Sequence, residues 1–288
     1  VIAFVGSVFS PYYRRALRRA QGRHGGPDGG AEALDHCAIN VALYSPGAAR
    51  WTMTERGARH VQRSARSFVV GPSRLAWEHD GLTIDIDEIA VPLPRRVRGR
   101  IRVLPRGLSR CVAALDAAGR HRWGPIAPSA RVEVEFERPG LRWQGQAYLD
   151  SNEGDEPVTA GFSHWDWLRA ELPGGRTAVV YDAQGPSGHE PARVIAACFA
   201  PDGTAQPMPP PPRQALPGTL WGIERGMRGD APATALRRLE DTPFYARAAL
   251  RSRWLGHDAT AMHETLDLRR FAAPWVQALL PFRMPRRA

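Results

Sequence analysis

The chain has 288 residues, 43% of them hydrophobic, which is enough for one large domain or two modest ones with a real core. Its 28 Gly and 26 Pro argue against a long helical bundle, and no apolar run reaches the roughly 18–20 residues of a membrane span. All 39 Lys+Arg residues are Arg, so the net charge of +10 comes without a lysine to form a Schiff base or hold pyridoxal phosphate.

Residues 1–9 (VIAFVGSVF) read as a strand met in mid-course. A short arginine-rich helix is expected over 11–20 and a glycine-rich loop over 22–30. Strands follow at 37–44 and 50–56 around the turn SPGA. Leu82, Ile84 and Ile86 alternate with Thr83 and Asp85, the period-two pattern of a half-buried strand. Asp85, Asp87 and Glu88 read as a solvated strand edge, with no histidine nearby to complete a metal site.

The clearest hairpin runs from 131 to 150. Val132, Val134 and Phe136 alternate with three glutamates, and Arg138-Pro139-Gly140 supplies the turn. On the return strand Trp143, Gly145, Ala147 and Leu149 share one parity. Arg142, Gln144, Gln146, Tyr148 and Asp150 share the other, which looks solvated. Further strands are expected at 176–182, 193–199 and 219–225. PMPPPP (207–212) reads as linker or loop, and 232–256 and 267–280 read as more helical. The expected architecture is mostly β with late helices.

Generic motifs are few. The arginines are scattered apart from clusters such as Arg14, Arg15, Arg18 and Arg19, and no RNA- or DNA-binding signature joins them, so no nucleic-acid partner is expected. Cys37, Cys111 and Cys198 lie far apart with no CxxC, which indicates neither a zinc site nor a disulfide framework. GPSGHE (185–190) is not G-x-S-x-G, and neither G-x-G-x-x-G nor a P-loop is present. His164 and Trp165-Asp166-Trp167 form an acid/aromatic cluster. A packed strand with Asp166 bonded to a loop is its plain reading, and cavity lining is the alternative. Tyr181-Asp182 repeats the Tyr/Asp pairing.

Ten blocks together carry a resemblance: FVGSVFSPYY (4–13), HCAINVALY (36–44), RWTMTERG (50–57), GPSRLAW (71–77), IDIDEIAVPLP (84–94), GRHRWGPIAP (119–128), AYLDSNEG (147–154), WDWLRA (165–170), LEDTPFYAR (239–247) and LPFRMPR (280–286). In these blocks, which span nearly the whole chain, the sequence resembles the acyclic carotenoid 1,2-hydratases, or hydroxyneurosporene synthases. The resemblance implies two lipocalin-like antiparallel β domains, expected here at 1–155 and 156–288, with some C-terminal helix. Family members begin further upstream, so the first domain is expected to lack its opening strands. It also implies a cofactor-independent hydro-lyase that adds water across the terminal C1=C2 bond of an acyclic carotene of the neurosporene or lycopene type. No metal or organic cofactor is expected. The alternatives are a noncatalytic lipocalin-like carrier of apolar ligands and a pericyclase-like enzyme of the same superfamily.

The family's proposed catalytic pairs, H-x-W and Y-x-D, match His121 with Trp123 and Tyr148 with Asp150. Hydrating an isolated trisubstituted alkene needs an acid, a wall that tolerates a tertiary cation, a placed water and a base. Asp150 is the expected acid, provided burial raises its pKa. Trp123 and Tyr148 would face the cation. His121 would orient the water or take its proton, because a histidine titrates near neutral pH. The final base is Asp150 or His121. Trp165 and Trp167 are expected to bind substrate. Residues i and i+2 of a strand share a face, so each pair points one way. The solvated look of the Tyr148 and Asp150 parity requires either a bulge near Gly145 or a polar wall.

Leu266, Leu268, Phe271, Trp275, Val276, Leu279, Leu280 and Phe282 are flanked by Arg269, Arg270, Arg283, Arg286 and Arg287. This pattern suits peripheral contact with an anionic membrane, on the cytoplasmic side of a bacterium, by a protein whose substrate partitions into lipid. Simple packing on the second β domain is the alternative.

Overall fold

The computed structural model describes residues 1–7, 9–24, 32–187 and 193–287, the side chains of residues 21–24 excepted. The loop expected at 22–30 lies outside the described residues from residue 25 on, as do residues 188–190 of GPSGHE.

In chain order the first strands are β1 (Ile2–Val5), β2 (Cys37–Leu43), β3 (Arg50–Met53), β4 (Glu55–Arg56), β5 (Val61–Arg63), β6 (Ser67–Val70), β7 (Ser73–Trp77), β8 (Leu82–Ile89), β9 (Arg96–Pro105) and β10 (Ala113–Ala114). The long hairpin β11 (His121–Arg138) and β12 (Leu141–Gly154) follows. Then come β13 (His164–Leu172), β14 (Arg176–Gln184), β15 (Arg193–Phe199), β16 (Ala205–Pro207), β17 (Arg213–Ala215), β18 (Gly226–Arg228), β19 (Thr234–Asp241), β20 (Tyr245–Trp254), β21 (His257–Asp267) and β22 (Arg286–Arg287). The helices are α1 (Pro11–His24), α2 (Val158–Gly161), α3 (Leu268–Ala272) and α4 (Pro274–Arg283). The fold is thus mostly β, with antiparallel sheets left open rather than closed into a barrel, in keeping with lipocalin-like β domains.

The chain forms two compact units. One holds Val1–Leu104, Arg131–Gly145 and Gln277–Ala288; the other holds Pro105–Ala130 and Gln146–Val276.

In the first unit β5 to β9 form an antiparallel meander. Alternate residues Ile84, Ile86, Val97, Val132, Val134 and Phe136 are buried, as period-two patterning demands. Gly99 lets β9 approach β11 closely: a Cβ there would lie 2.4 Å from the Glu135 carbonyl oxygen and 2.5 Å from the Phe136 Cα. The carboxylates of β8 depart from the expected solvated edge. β8 lies between β7 and β9, and Glu88 is only 1% exposed. It accepts hydrogen bonds from Arg56 and from Ser73, each at 2.8 Å, while Asp85 and Asp87 pair outside with Arg100 and Arg96. A strand whose polar residue finds a buried arginine need not keep it at an edge.

The second unit is built on a seven-stranded antiparallel sheet of order β16-β15-β14-β13-β21-β20-β19. One face packs a core of Leu168, Ala170, Ala178, Met227, Leu250 and Trp254. Two expectations fail here. Residues 232–256 are β19 and β20, not helix. Their Ala, Leu and Arg are good helix formers, but Ala246, Ala248, Leu250, Ser252 and Trp254 alternate inward, and burial on the sheet outweighs propensity. Residues 219–225 are a turn, not a strand. The Gly222 N–H bonds the Thr219 carbonyl, the Thr219 hydroxyl accepts from Ile223 N–H, and Gly222 has φ +71. The helical reading of 267–280 holds for α3 and α4.

Gly99→Ala is expected to cost about 1–3 kcal/mol by overpacking. Gly140→Ala, where a Cβ meets nothing within 4 Å, should stay within about 0.5 kcal/mol. Denaturant unfolding of the two variants checks this, and equal stability would remove the close-approach argument.

Candidate active site

The site is built on the face of the seven-stranded sheet opposite the core. Strand alternation sends His164, Asp166 and Leu168 to the core side and Trp165, Trp167 and Arg169 to the other. Register then sets their neighbours. Trp167 lies between Tyr181 of β14 and Glu264 of β21, and Glu264 faces Arg247 of β20. Arg247 and Glu264 form an ion pair at 2.7 Å. Tyr181, Trp167, Glu264 and Arg247 thus form one row across four strands.

The hairpin brings Tyr148, Asp150 and Trp123 to this row. The Trp123 indole, 1% exposed, donates through Nε1 to Asp150 Oδ2 at 2.9 Å. The Tyr148 ring lies 5.5 Å from that of Trp167, and the Arg169 guanidinium stands 5.5 Å from the Tyr148 ring centroid. Trp123 also meets Tyr181 at 5.8 Å and Phe199 at 6.4 Å, and Tyr181 meets Trp165 at 5.9 Å. Asp150 therefore sits half-buried beside a connected cluster of rings.

Burial raises the Asp150 pKa to about 6; the Trp123 N–H draws it back, and the charge of Glu264 pushes it up. Tyr148 and Arg169 also favour the ionised form. The Tyr148 hydroxyl is buried without a well-formed hydrogen bond, yet burial and the nearby Asp150 carboxylate hold its pKa well above the usual phenol value.

These contacts account for the parity of β12. Arg142, Gln144 and Gln146 are exposed, whereas Tyr148 and Asp150, two and four residues on along the same face, are half-buried. That face is polar where it meets solvent and becomes enclosed where β13 and β14 supply Trp167 and Tyr181. Trp143, on the apolar parity, is exposed instead.

His121 takes a different place. Its ring lies between Gly154 and Gly161, where a Cβ on either would come within 2.6 Å of a ring atom. It meets Phe162 at 4.9 Å, and its Nε2 lies 3.5 Å from Glu156. Asp116 accepts the His121 backbone N–H at 2.7 Å. Phe162 contacts Trp165 at 5.8 Å, so His121 joins the aromatic series at its far end. Among the described contacts none links His121 to Asp150. Trp123, Tyr148, Asp150 and Trp167 are brought together directly, and Trp165 through Tyr181.

Tyr181 and Asn152 are additions to the set read from sequence. The Tyr181 hydroxyl donates to Asn152 Oδ1 at 3.4 Å. The Tyr181-Asp182 pairing was visible in sequence, but its register opposite Trp167 was not.

The core side of β13 holds a separate polar network. Arg213 bonds Asp166 and Asp182, each at 2.9 Å; Arg228 bonds Asp182 at 2.8 Å; and the Thr265 hydroxyl bonds Asp166 at 2.7 Å. Burial would raise the Asp166 pKa, but His164, His263 and Thr265 hold it below the ordinary value.

A carboxyl whose pKa is raised to about 6, set beside a cluster of aromatic rings on an open antiparallel sheet, is an arrangement able to exchange a proton with an apolar molecule. Over residues 1–288 the chain matches the family model described as Carotenoid hydratase CrtC. It is 52% identical over 290 residues to the acyclic carotenoid 1,2-hydratase of Rubrivivax gelatinosus, covering 100% of this chain and 69% of that protein. It is 49% identical to the acyclic carotenoid 1,2-hydratase of Thiocapsa roseopersicina, covering 99% of this chain and 68% of that protein. With the enzyme of that name from Cereibacter sphaeroides it shares 38% identity over 100% of this chain and 98% of the relative. The chain belongs to the carotenoid hydratase CrtC family and is a hydro-lyase.

Because the Trp123 N–H favours the charged carboxylate, Trp123→Phe should raise the Asp150 pKa further, by about one unit or ~1.4 kcal/mol. A carboxyl NMR titration of Asp150 measures it, and an unchanged or lower value would contradict the role of the indole.

Proposed function

We propose that this protein hydrates the terminal C1=C2 bond of an acyclic carotene of the neurosporene or lycopene type, giving a tertiary 1-hydroxy product with no cofactor taking part. The observation that carries this is the enclosed carboxyl of Asp150, raised to about 6 and surrounded by Trp123, Tyr148, Trp167 and Tyr181. Asp150 gives its proton to C2, leaving a tertiary cation at C1. The nearby rings stabilise that cation by roughly 0.5–2 kcal/mol each. Water adds at C1, and the spare proton returns to the Asp150 carboxylate, which closes the cycle. Trp165 and Trp167, half-exposed on the site face, hold the polyene beside the acid. His121, clasped by Gly154 and Gly161, sets the turn that ends β12 and acts on the site from outside.

Asp150→Asn should abolish hydration while carotene binding, followed by tryptophan quenching, is retained. Full turnover in that variant would remove Asp150 from the acid role. Binding without hydration by the unaltered protein at any pH would favour the carrier. The rate should fall about tenfold per pH unit as pH rises above about 6, because the acid form is lost there. A flat profile between pH 6 and 8 would count against an acid of this pKa.

We further propose that the protein meets its lipid-borne substrate at an anionic membrane surface, on the cytoplasmic side. No helix among the described residues is long and apolar enough to cross a membrane. Of the C-terminal apolar residues, Leu266, Leu268, Phe271, Val276 and Leu280 are buried. In the first unit Leu279 and Phe282, three residues apart on α4, are 48% and 75% exposed, and in the second unit Trp275 is 47% exposed. Trp221 stacks on Trp275 at 5.9 Å, beside the exposed Leu220. The arginines contribute unequally, since Arg283 lies 4.3 Å over the Trp51 ring and Arg286 pairs with Asp35 and Glu55. Flotation with anionic vesicles should show binding that weakens with salt and is lost in Trp275→Ala with Phe282→Ala. Absence of binding at low salt would leave α4 without a membrane role.

A further inference from the structure

We propose that Asn152 and Tyr181 hold the water that captures the cation, at the solvent side of Asp150; this rests on Asp150 being the acid. Tyr148, Asp150 and Asn152 occupy alternate positions of β12 and so share a face. Each of the last two is met by an aromatic donor: Trp123 bonds the Asp150 carboxylate, and Tyr181 bonds Asn152 Oδ1. The Tyr181 ring touches Trp123 and Trp165, which places its hydroxyl in the same aromatic enclosure as the acid.

The two positions differ in what they offer water. Asp150 is half-buried, whereas Asn152 is exposed. The Tyr181–Asn152 bond, at 3.4 Å, is long for a hydroxyl donor, whose usual range is about 2.7–2.8 Å. The Asn152 amide N–H2 has no partner among the described residues. Burial, with the Asp150 and Glu264 charges, keeps Tyr181 protonated and therefore a donor. Side chains one strand repeat apart are separated by about 6.6 Å, and two hydrogen bonds of about 2.8 Å through one water span most of that distance. A water anchored by Asn152 and Tyr181 therefore lies beside the Asp150 carboxyl and next to the carbon adjoining the one that carboxyl protonates.

The step balances without an oxidant or reductant. The Asp150 O–H bond breaks as the C2–H bond forms from the π electrons, leaving C1 electron-deficient. A lone pair of the held water forms the C1–O bond. The resulting oxonium passes one proton to the Asp150 carboxylate, and one water is consumed.

The test uses the whole protein with lycopene in D2O, comparing Tyr181→Phe and Asn152→Ala with the unaltered enzyme. If these residues place the water, protonation continues while capture fails. The 1-hydroxy product should then fall about tenfold or more, and the ratio of deuterium-labelled unhydrated carotene to hydrated product should rise. That label appears as the 1-methylene isomer or the C2-deuterated substrate. Unchanged hydration in either variant would overturn the assignment. So would loss of hydration with no gain in that ratio, which is what simple damage to the fold would give. Asp150→Asn serves as the reference: it should abolish label and hydration together, and if it keeps both, the acid reading fails independently of Asn152 and Tyr181.

Discussion

The hydrogen bond from the Trp123 indole to Asp150 joins a half-buried carboxyl group to a ring that is fully buried in the core. A carboxyl moved from its ordinary value near 3.8 to about 6 disfavours its charged form by on the order of 3 kcal/mol. The raised value belongs to the folded state, so this cost is absent below about 3.8, grows as pH rises from there to about 6, and is complete above the folded value. The core of the second unit, with Leu168, Leu250 and Trp254 wholly buried, offsets it. The Trp123 donor, together with Tyr148 and Arg169, limits the rise.

The same sheet serves two opposed demands through the alternation of one strand. Odd-numbered residues of β13 face the site, and even-numbered residues face the core. Asp166 and Asp182, on the core side, are locked by Arg213, Arg228 and Thr265. A fully paired polar network has two-sided energetics: satisfied it fixes one arrangement, and broken it leaves a buried charge. Here it pins β13 and β14, so Trp165, Trp167 and Tyr181 cannot shift independently of the sheet. Rigidity on the core side thus holds the rings in place on the opposite face.

Patterns confined to a few neighbouring residues were legible in the sequence. Val132, Val134 and Phe136 announce a strand, Pro139-Gly140 announces the turn, and H-x-W with Y-x-D mark two same-face pairs. Patterns that depend on a distant partner were not. Nothing local in YARAALRSRW distinguishes a helix from a strand until a sheet exists to bury Ala246, Ala248 and Leu250. Glu88 looked solvated because Arg56, its partner, lies 32 residues away. The face of Tyr148 and Asp150 looked wet because the groups that enclose it, Trp167 and Tyr181, belong to strands whose register is a tertiary fact.

That distinction bears on how the site is organised. The acid and its indole partner sit on adjacent strands of one hairpin, and a turn of two residues fixes their pairing. The ring contacts beside Asp150 and the Asn152–Tyr181 pair depend instead on how β13 and β14 meet Trp123, Tyr148 and Asn152 of the hairpin. A hairpin alone would expose Asp150 to water and leave it ionised. Only when β13 and β14 close over it do burial, the rings and the neighbouring charge act on the same carboxyl. The raised pKa of Asp150 is therefore a product of tertiary assembly, although its pairing with Trp123 is set by a local motif.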